Sequence, residues 1–167
     1  LPVFMDFENS PENGYGSTPA CWTKTSTYSA YPYIYNYDQI SHNSNSAMYF
    51  SNSPYSGFSQ IAMPAIDTVN VAPIRDLQVK FWFRTSYTTM PMQVGVMTDP
   101  TNTGSFTPVA TIYASAANTY EEVTAYMGSY TGNGQYIAFK YSGSEYASGY
   151  IDDLEISLAP DCSPVQN

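Results

Sequence analysis

Three acidic side chains near the two ends of the chain have the chemistry to hold a divalent cation. Asp6 and Glu8 lie two residues apart near the start, and Asp152 lies near the end. Calcium takes six to eight oxygen ligands from carboxylates, carbonyls and water. The polar segment 42–46 offers further side-chain and backbone oxygens. The alternative is that Asp6 and Glu8 are solvated strand residues and that backbone N–H groups bind Asp152.

Tyrosines alternate with other residues in a second segment. Tyr31, Tyr33, Tyr35 and Tyr37 recur with a period of two, so an extended backbone places them in one row about 6–7 Å apart. Aromatic faces stack on the C–H groups of sugars, and phenol hydroxyls add polar contacts. The row therefore fits a glycan or protein recognition surface. The alternative is that these tyrosines pin a long loop onto the body of the protein.

A tryptophan lies between two basic residues. Lys80, Trp82 and Arg84 share one face of a predicted strand. A tryptophan flanked by cations suits an acidic glycan or a carboxylate of a partner protein, and Tyr136 and Lys140 join this face if their strand lies in the same sheet. The alternative is an ordinary sheet face with Trp82 packed under a loop.

No residue pattern predicts catalysis. His42 is the single histidine, and no Gly-x-Ser-x-Gly nucleophile elbow accompanies it. A glycosidase needs two carboxylates across a cleft, whereas Glu121 and Glu122 are adjacent and point to opposite faces of a strand. We therefore predict that the protein is not an enzyme.

The charge and composition exclude nucleic-acid-binding and membrane-spanning proteins, and they favour a location outside the cell. Fourteen acidic and five basic residues give a net charge of −9, which is unsuited to binding nucleic acid. The chain contains no apolar run of the roughly 18–20 residues that span a bilayer. Only 11% of the residues are charged, and 17 are tyrosine. This composition is typical of a secreted or cell-surface protein.

The two cysteines are far apart in the chain. In a secreted protein, Cys21 and Cys162 are predicted to form a disulfide, which contributes about 4–5 kcal/mol in the chain-entropy model for a loop of about 140 residues. The alternative is two separate buried thiols. Two cysteines and one histidine are too few for an ordinary zinc site.

The elements that position these residues are predicted to be β-strands. Short β-rich runs alternate with Gly, Pro, Asn and Ser, which is typical of a sandwich or barrel. We predict nine or ten strands, and therefore two packed sheets in one all-β domain over residues 1–160. The segment Thr27–Ser46 is predicted to be a polar excursion at the rim. The predicted strands are Val3–Glu8, Cys21–Thr27, Ala47–Ser51, Ser59–Met63, Ile74–Thr85, Met92–Thr98, Thr107–Ala114, Glu121–Met127, Gln135–Tyr141 and Tyr150–Leu158.

Three of these strands alternate clearly between apolar and polar positions. The residues predicted to face inward are Leu77, Val79, Phe81 and Phe83, then Ile137, Phe139 and Tyr141, then Leu154, Ile156 and Leu158. Asp152 falls on the inward phase of the last strand. A carboxylate there is costly unless it is paired or binds a metal.

Short motifs in chain order resemble the MAM-type jelly roll, an outline shared by the cleaved-adhesin and "choice-of-anchor" jelly rolls of bacterial surface and secreted proteins. Val94–Asp99 favours the bacterial branch. The motifs are Asp6–Glu8, Pro19–Trp22, Ser46–Tyr49, Ala62–Ile66, Leu77–Phe83, Met92–Asp99 and Tyr150–Ile156.

The resemblance implies a two-sheet antiparallel jelly roll with a structural Ca²⁺ near the chain ends. Its ligands would be Asp6, Glu8 and Asp152, with Asn43, Asn45 or Ser46 as further oxygen donors. This chain departs from the MAM pattern in having two cysteines rather than about four, so the pairing of Cys21 with Cys162 is not implied by it.

The segment 161–167 is predicted to link the domain to a following module. Asp161–Pro164 resembles the junction before a fibronectin-type module, which implies a piece of a multidomain protein with neighbouring domains in the same chain. The function we predict is a non-catalytic carbohydrate-binding or adhesion module stabilised by calcium, whose partner is a glycan or a cell-surface protein. The alternative is a structural spacer or protein–protein interaction domain without affinity for glycans.

Overall fold

The computed structural model describes residues 2–8, 14, 16–27, 30–37, 39–52 and 57–160, and within them the chain folds as two antiparallel β-sheets. Two short 3-10 turns, Ile74–Asp76 and Thr103–Ser105, accompany the strands. The strands are β1 Val3–Met5, β2 Thr23–Lys24, β3 Tyr33–Asn36, β4 Ser46–Ser51, β5 Phe58–Ala62, β6 Leu77–Thr85, β7 Met92–Met97, β8 Phe106–Ile112, β9 Glu121–Tyr126, β10 Tyr136–Ser142 and β11 Ser148–Leu158.

The strands divide into a six-stranded and a five-stranded sheet. The six-stranded sheet has the order β3-β4-β11-β6-β9, with β1 also paired to β11, and the five-stranded sheet has the order β2-β5-β10-β7-β8. The predicted all-β, two-sheet antiparallel sandwich is therefore confirmed. Among the described residues, no helix is long and apolar enough to cross a membrane.

The inner faces of the two sheets meet in one apolar core. The alternation predicted for β6 and β10 is confirmed, because all seven of their predicted inward residues are 0% exposed. Phe81 of one sheet meets Phe139 of the other edge to face, with ring centroids 5.5 Å apart. Burying a side chain of this size stabilises the fold by about 1.5–3 kcal/mol. Leu158, also predicted to face inward, is 58% exposed because β11 ends there.

The first and last strands lie side by side, as the sequence predicts. Val3, Phe4 and Met5 of β1 pair antiparallel with residues 154–156 of β11. This pairing brings the segment that contains Asp6 and Glu8 to the same sheet as Asp152.

One strand lies in the segment that was predicted to be a polar excursion. Strand β3 pairs with β4 at the edge of the six-stranded sheet, with Tyr33 opposite Tyr49 and Ile34 opposite Met48. Ile34 is 0% exposed. A single inward-facing isoleucine is therefore enough to anchor this strand, whose other face carries tyrosines. The predicted linker 161–167 lies outside the described residues.

Candidate functional site

A loop covers part of the outer face of the six-stranded sheet. Residues 39–45, here called the covering loop, connect β3 to β4. The His42 ring stacks on Trp82, with centroids 3.7 Å apart and planes inclined by 15°. The Tyr120 hydroxyl donates a hydrogen bond to the Ile40 carbonyl at 2.7 Å. Trp82 is therefore packed under a loop on one of its faces, which is the alternative that the sequence left open.

Asp152 is buried beneath the covering loop. One carboxylate oxygen accepts the backbone N–H of His42 at 2.8 Å and the hydroxyl of Ser44 at 3.3 Å. The other oxygen accepts the N–H of Asp153 at 2.8 Å. Burial raises the pKa of Asp152 to about 7, and the hydrogen bonds from His42 and Asp153 partly offset this effect. The carboxylate thus ties the covering loop to β11.

The inward position predicted for Asp152 is wrong. Asp152 pairs with Trp82 of β6, whereas Glu155 pairs with Lys80, so β11 has one residue more than β6 between these two pairs. This β-bulge reverses the alternation along β11. Asp153 lies in the bulge with a φ of 46°. Because paired residues point to the same side of a sheet, Asp152 shares the outer face with Trp82.

The other two predicted acidic ligands lie at the far end of the covering loop. Glu8 accepts the backbone N–H groups of Asn45, at 2.9 Å, and of Ser46. Asp6 accepts the N–H of Glu8 at 3.1 Å. Glu8 and Asp152 therefore hold the same loop at two points.

The donor chemistry of this acidic cluster suits a hard cation, but its carboxylates are mainly bound by N–H groups. Among the described residues, no three His, Cys, Asp or Glu side chains lie close enough to hold one metal ion. The Asn43 amide lies 3.2 Å from the His42 ring, and Asn45 contacts Glu8 through its backbone. An ion bound here would take at most two carboxylates, together with serine, carbonyl and water oxygens.

The tyrosine row is present on the outer face of the same sheet. Neighbouring rings from Tyr31 to Tyr37 have centroids 5.4–5.9 Å apart. Tyr49 packs against three of them and stacks on Tyr150 at 4.9 Å. Tyr33 is only 7% exposed, whereas Tyr37 is 41% exposed, so much of this aromatic area holds β3 against β4. We call these residues the tyrosine surface: Tyr31, Tyr33, Tyr35, Tyr37, Tyr49 and Tyr150.

Arg84 lies between the tyrosine surface and the covering loop. Its guanidinium carbon lies 5.7 Å from the centre of the Tyr150 ring. Its Nη1 atom donates to the Gln39 carbonyl at 3.3 Å. Its Nε atom is buried, with no hydrogen-bond partner among the described residues. Through these contacts, Arg84 holds the covering loop in place.

An open groove of about 290 Å³ lies on the same outer face. A salt bridge of 2.8 Å joins Lys80 to Glu122, and this hydrogen bond raises the pKa of Lys80 above its usual value, with a further contribution from the charge of Glu155. We call this cleft the groove. It is lined by Phe4, Lys80, Phe81, Trp82, Glu122, Asp153 and Glu155.

A second cleft of about 430 Å³, the end cleft, lies elsewhere on the molecule. Its lining includes Arg75, Tyr130, Asn133 and Gln135. None of the binding or metal residues predicted from the sequence lies there.

Other predicted residues lie apart from this face. Tyr136 and Lys140 belong to the five-stranded sheet, so the condition under which they would join Trp82 on one sheet face is not met. The Lys140 ammonium lies over the rings of Phe58 and Phe106, at 4.5 and 5.6 Å. Cys21 is exposed. Cys162 lies outside the described residues, and the disulfide stays a prediction.

Sequence reasoning missed three contributors to this face. His42 was considered as a catalytic residue and as part of the polar segment 42–46, yet its ring covers Trp82 and contacts Asp153 at 2.8 Å. Tyr49 and Tyr150 are paired across β4 and β11. The outward position of Tyr49 is visible in the alternation of β4, whereas the bulge in β11 hides that of Tyr150. Their pairing follows only from the order of the strands in the sheet.

Comparisons with known proteins establish the fold. The K1 cleaved adhesin domain of Lys-gingipain from Porphyromonas gingivalis W83 superposes with a TM-score of 0.69 at 18% identity, over 95% of this chain and 99% of that chain. No protein-family model and no curated protein sequence matches the chain. The structural similarity therefore identifies a jelly-roll β-sandwich and no particular family.

Carbohydrate-binding modules share the same fold. The module TmCBM61, solved in complex with β-1,4-galactotriose, has a TM-score of 0.56 at 13% identity and covers 93% of this chain and 99% of its own. The CBM22-1 xylan-binding domain from Paenibacillus barcinonensis has a TM-score of 0.56 at 11% identity, over 93% of this chain and 92% of that chain. The sandwich is thus one that adhesin domains and carbohydrate-binding modules both use.

Proposed function

We propose that the protein is a non-catalytic carbohydrate-binding or adhesion module of a secreted or cell-surface multidomain protein. The single observation that carries the proposal is the open groove on the outer face of the six-stranded sheet, where aromatic and charged side chains lie together. Sugars present apolar C–H faces and polar hydroxyl edges, so a site for them needs both kinds of group. Adhesin domains and carbohydrate-binding modules among the structural neighbours support this function.

The way the groove is built also favours the binding of a ligand. The Phe4, Lys80, Trp82 and Glu122 side chains all come from strands of one sheet. A site held by a sheet is preorganised, which reduces the entropy lost when a ligand binds. The ion pair between Lys80 and Glu122 further limits the motion of its two side chains.

A structural calcium ion near the chain ends is part of the proposal. Asp152 accepts from His42 and Ser44, and Glu8 accepts from the adjacent Asn45. The oxygens of both carboxylates are hard donors of the type that calcium prefers. Serine hydroxyls and backbone carbonyls of the loop supply further oxygens. An ion there would stabilise the loop that covers Trp82.

One observation favours the alternative of a structural spacer or protein–protein interaction domain. The rings of the tyrosine surface contact one another, so they stabilise the sheet edge even without a ligand.

Affinity electrophoresis separates these two functions. The galactotriose and xylan of two structural neighbours define gels that contain β-1,4-galactan or xylan, and hydroxyethyl cellulose adds a third uncharged polymer. We expect the protein to migrate more slowly in at least one of these gels than in a gel without polysaccharide, with bovine serum albumin as the non-binding control. Unchanged migration in every gel, together with no heat of binding in calorimetry against the same polymers, would favour the spacer.

A further inference from the structure

We infer that an uncharged oligosaccharide chain binds in the groove and continues across the strands beyond it, stacking on Phe4 in the groove and on Tyr126 outside it. The inference rests on the proposed function and specifies its ligand class. Neither aromatic residue stands out in the sequence, and the register of the sheet places both on the face that carries Trp82 and Lys80.

The strand register defines the direction of the groove. Phe4 of β1 pairs with Glu155 of β11, Glu155 with Lys80 of β6, and Lys80 with Thr124 of β9. Paired residues point to the same side, so these four side chains form one row across the outer face. Four strands at their usual spacing of about 4.8 Å give a row of about 14 Å. This length suits a chain of several sugars rather than a single sugar.

A second row runs beside the first. Ser157 pairs with Gln78, and Gln78 pairs with Tyr126. The Gln78 amide nitrogen donates to the Ser157 hydroxyl at 3.2 Å. This row adds an amide and two hydroxyl groups, which can donate to or accept from sugar hydroxyls.

Phe4 and Tyr126 are the aromatic side chains with most free area on this part of the face. Phe4 is 61% exposed and Tyr126 is 58% exposed, whereas one face of Trp82 is covered by His42. An exposed ring on each outer strand, with polar groups between them, matches the alternation of apolar faces and hydroxyl edges along a sugar chain.

The charges of the groove favour an uncharged ligand. Glu122, Asp153 and Glu155 line it together with a single lysine, Lys80. Lys80 is already paired with Glu122 at 2.8 Å. An acidic glycan would meet net negative charge on a protein of net charge −9. The acidic glycan, which was one of the ligands that the sequence left open, is therefore disfavoured. Carboxylates instead accept hydrogen bonds from neutral sugar hydroxyls.

A basic peptide would also suit the negative charge, but it would not need the exposed rings or the amide and hydroxyl row. The observations favour the sugar chain because Phe4, Gln78 and Tyr126 have no role in binding a cation at the carboxylates.

The test compares charged and uncharged polymers with the same backbone. Affinity electrophoresis is run with the complete chain in gels of hydroxyethyl cellulose and carboxymethyl cellulose, and in parallel with β-1,4-galactan, xylan and polygalacturonate. We expect retardation in at least one of the uncharged gels and none in the charged ones. A neutral ligand makes no ion pair with the protein, so retardation should change little between about 0.05 and about 0.5 M NaCl, a roughly tenfold range of ionic strength around the physiological value.

Matched variants test the two aromatic residues. Phe4→Ala and Tyr126→Ala are each expected to weaken binding by about fivefold, since an aromatic contact contributes that order of effect. Tyr113→Ala is the control, because Tyr113 is similarly exposed at 60% and follows β8 of the other sheet. The control should bind as the unaltered chain does. Because all three residues are exposed, the thermal unfolding midpoints of the three variants should agree within a few degrees.

The outcomes distinguish this inference from the proposed function. Retardation only in carboxymethyl cellulose or polygalacturonate would overturn the uncharged ligand and leave glycan binding in place. Equal binding by Phe4→Ala, Tyr126→Ala and Tyr113→Ala would overturn the position of the ligand. Binding to polylysine with no retardation in any polysaccharide gel would overturn both the inference and the proposed function.

Discussion

Replacing Asp152 by alanine is expected to lower the free energy of unfolding by about 3 kcal/mol. The change removes the acceptor of the His42 and Asp153 N–H groups and of the Ser44 hydroxyl. A buried donor left without a partner costs about 1–3 kcal/mol. Removing the burial cost of the carboxylate, whose pKa is raised to about 7, offsets part of this loss. Thermal unfolding should show a midpoint lower by about 6–12 °C.

Asp67→Ala provides the control for this prediction. The Asp67 carboxylate also accepts three hydrogen bonds, from the N–H groups of Val69 and Asn70 and from the Asn70 side chain. It is fully exposed, so water replaces the lost acceptor and the midpoint should fall much less. Equal shifts for the two variants would show that burial under the covering loop is not what makes Asp152 important.

Removing calcium tests whether the acidic cluster binds an ion or is held by N–H groups alone. A ligand that binds only the folded state at 100 times its Kd stabilises it by about 2.7 kcal/mol. If calcium binds at Glu8 and Asp152, a chelator should lower the midpoint of the unaltered chain by several degrees and leave Asp152→Ala unchanged. An unchanged midpoint for the unaltered chain would remove calcium from the account.

Replacing Trp82 by alanine is expected to weaken polysaccharide binding by at least about tenfold, which corresponds to about 1.4 kcal/mol. Trp82 lines the groove and also supports the His42 ring at 3.7 Å. The variant therefore loses an apolar wall and loosens the covering loop. Affinity electrophoresis against the polymer that retards the unaltered chain measures the change.

Two further variants separate the indole ring from the loop that it supports. Trp82→Phe keeps an aromatic wall and should retain most of the binding. His42→Ala removes the covering ring while Trp82 remains, and it should also bind. A loss in His42→Ala as large as that in Trp82→Ala would mean that the covering loop, and not the groove wall, carries the effect.

The strands of the core could be predicted from sequence because they alternate strictly. In β6, each second residue is apolar from Leu77 to Phe83, and all four of these residues are buried. Strand β3 was not predicted, because its outward positions carry tyrosines and it has only Ile34 as an inward aliphatic residue. Alternation between apolar and polar residues is weak in this edge strand, because its outward positions are aromatic rather than polar.

The position of Asp152 could not be predicted because a bulge has no clear signal in the alternation. The pattern of Leu154 and Ile156 extends backwards onto Asp152, and the extra residue at the bulge reverses the phase. Burial of the carboxylate was expected, but the covering loop provides it rather than the core. This contact joins residues 110 positions apart, which local patterns do not encode.

The candidate site was predicted in part. Lys80 and Trp82 were found because they share one face of a single strand, whereas Phe4 and Tyr126 come from two other strands of the sheet. Their relation to Trp82 depends on the pairing of β1 with β11 and of β9 with β6. The charge of the groove depends on the same pairings, since they bring Glu122 and Glu155 beside Lys80.

The most direct measurement is an NMR titration of the ¹⁵N-labelled protein with a neutral oligosaccharide prepared from the polymer that retards it. Binding across the six-stranded sheet predicts amide shifts at Phe4, Gln78, Lys80, Thr124 and Glu155. Shifts confined to the end cleft around Arg75 and Tyr130, or to Phe58 and Lys140 on the five-stranded sheet, would contradict this account.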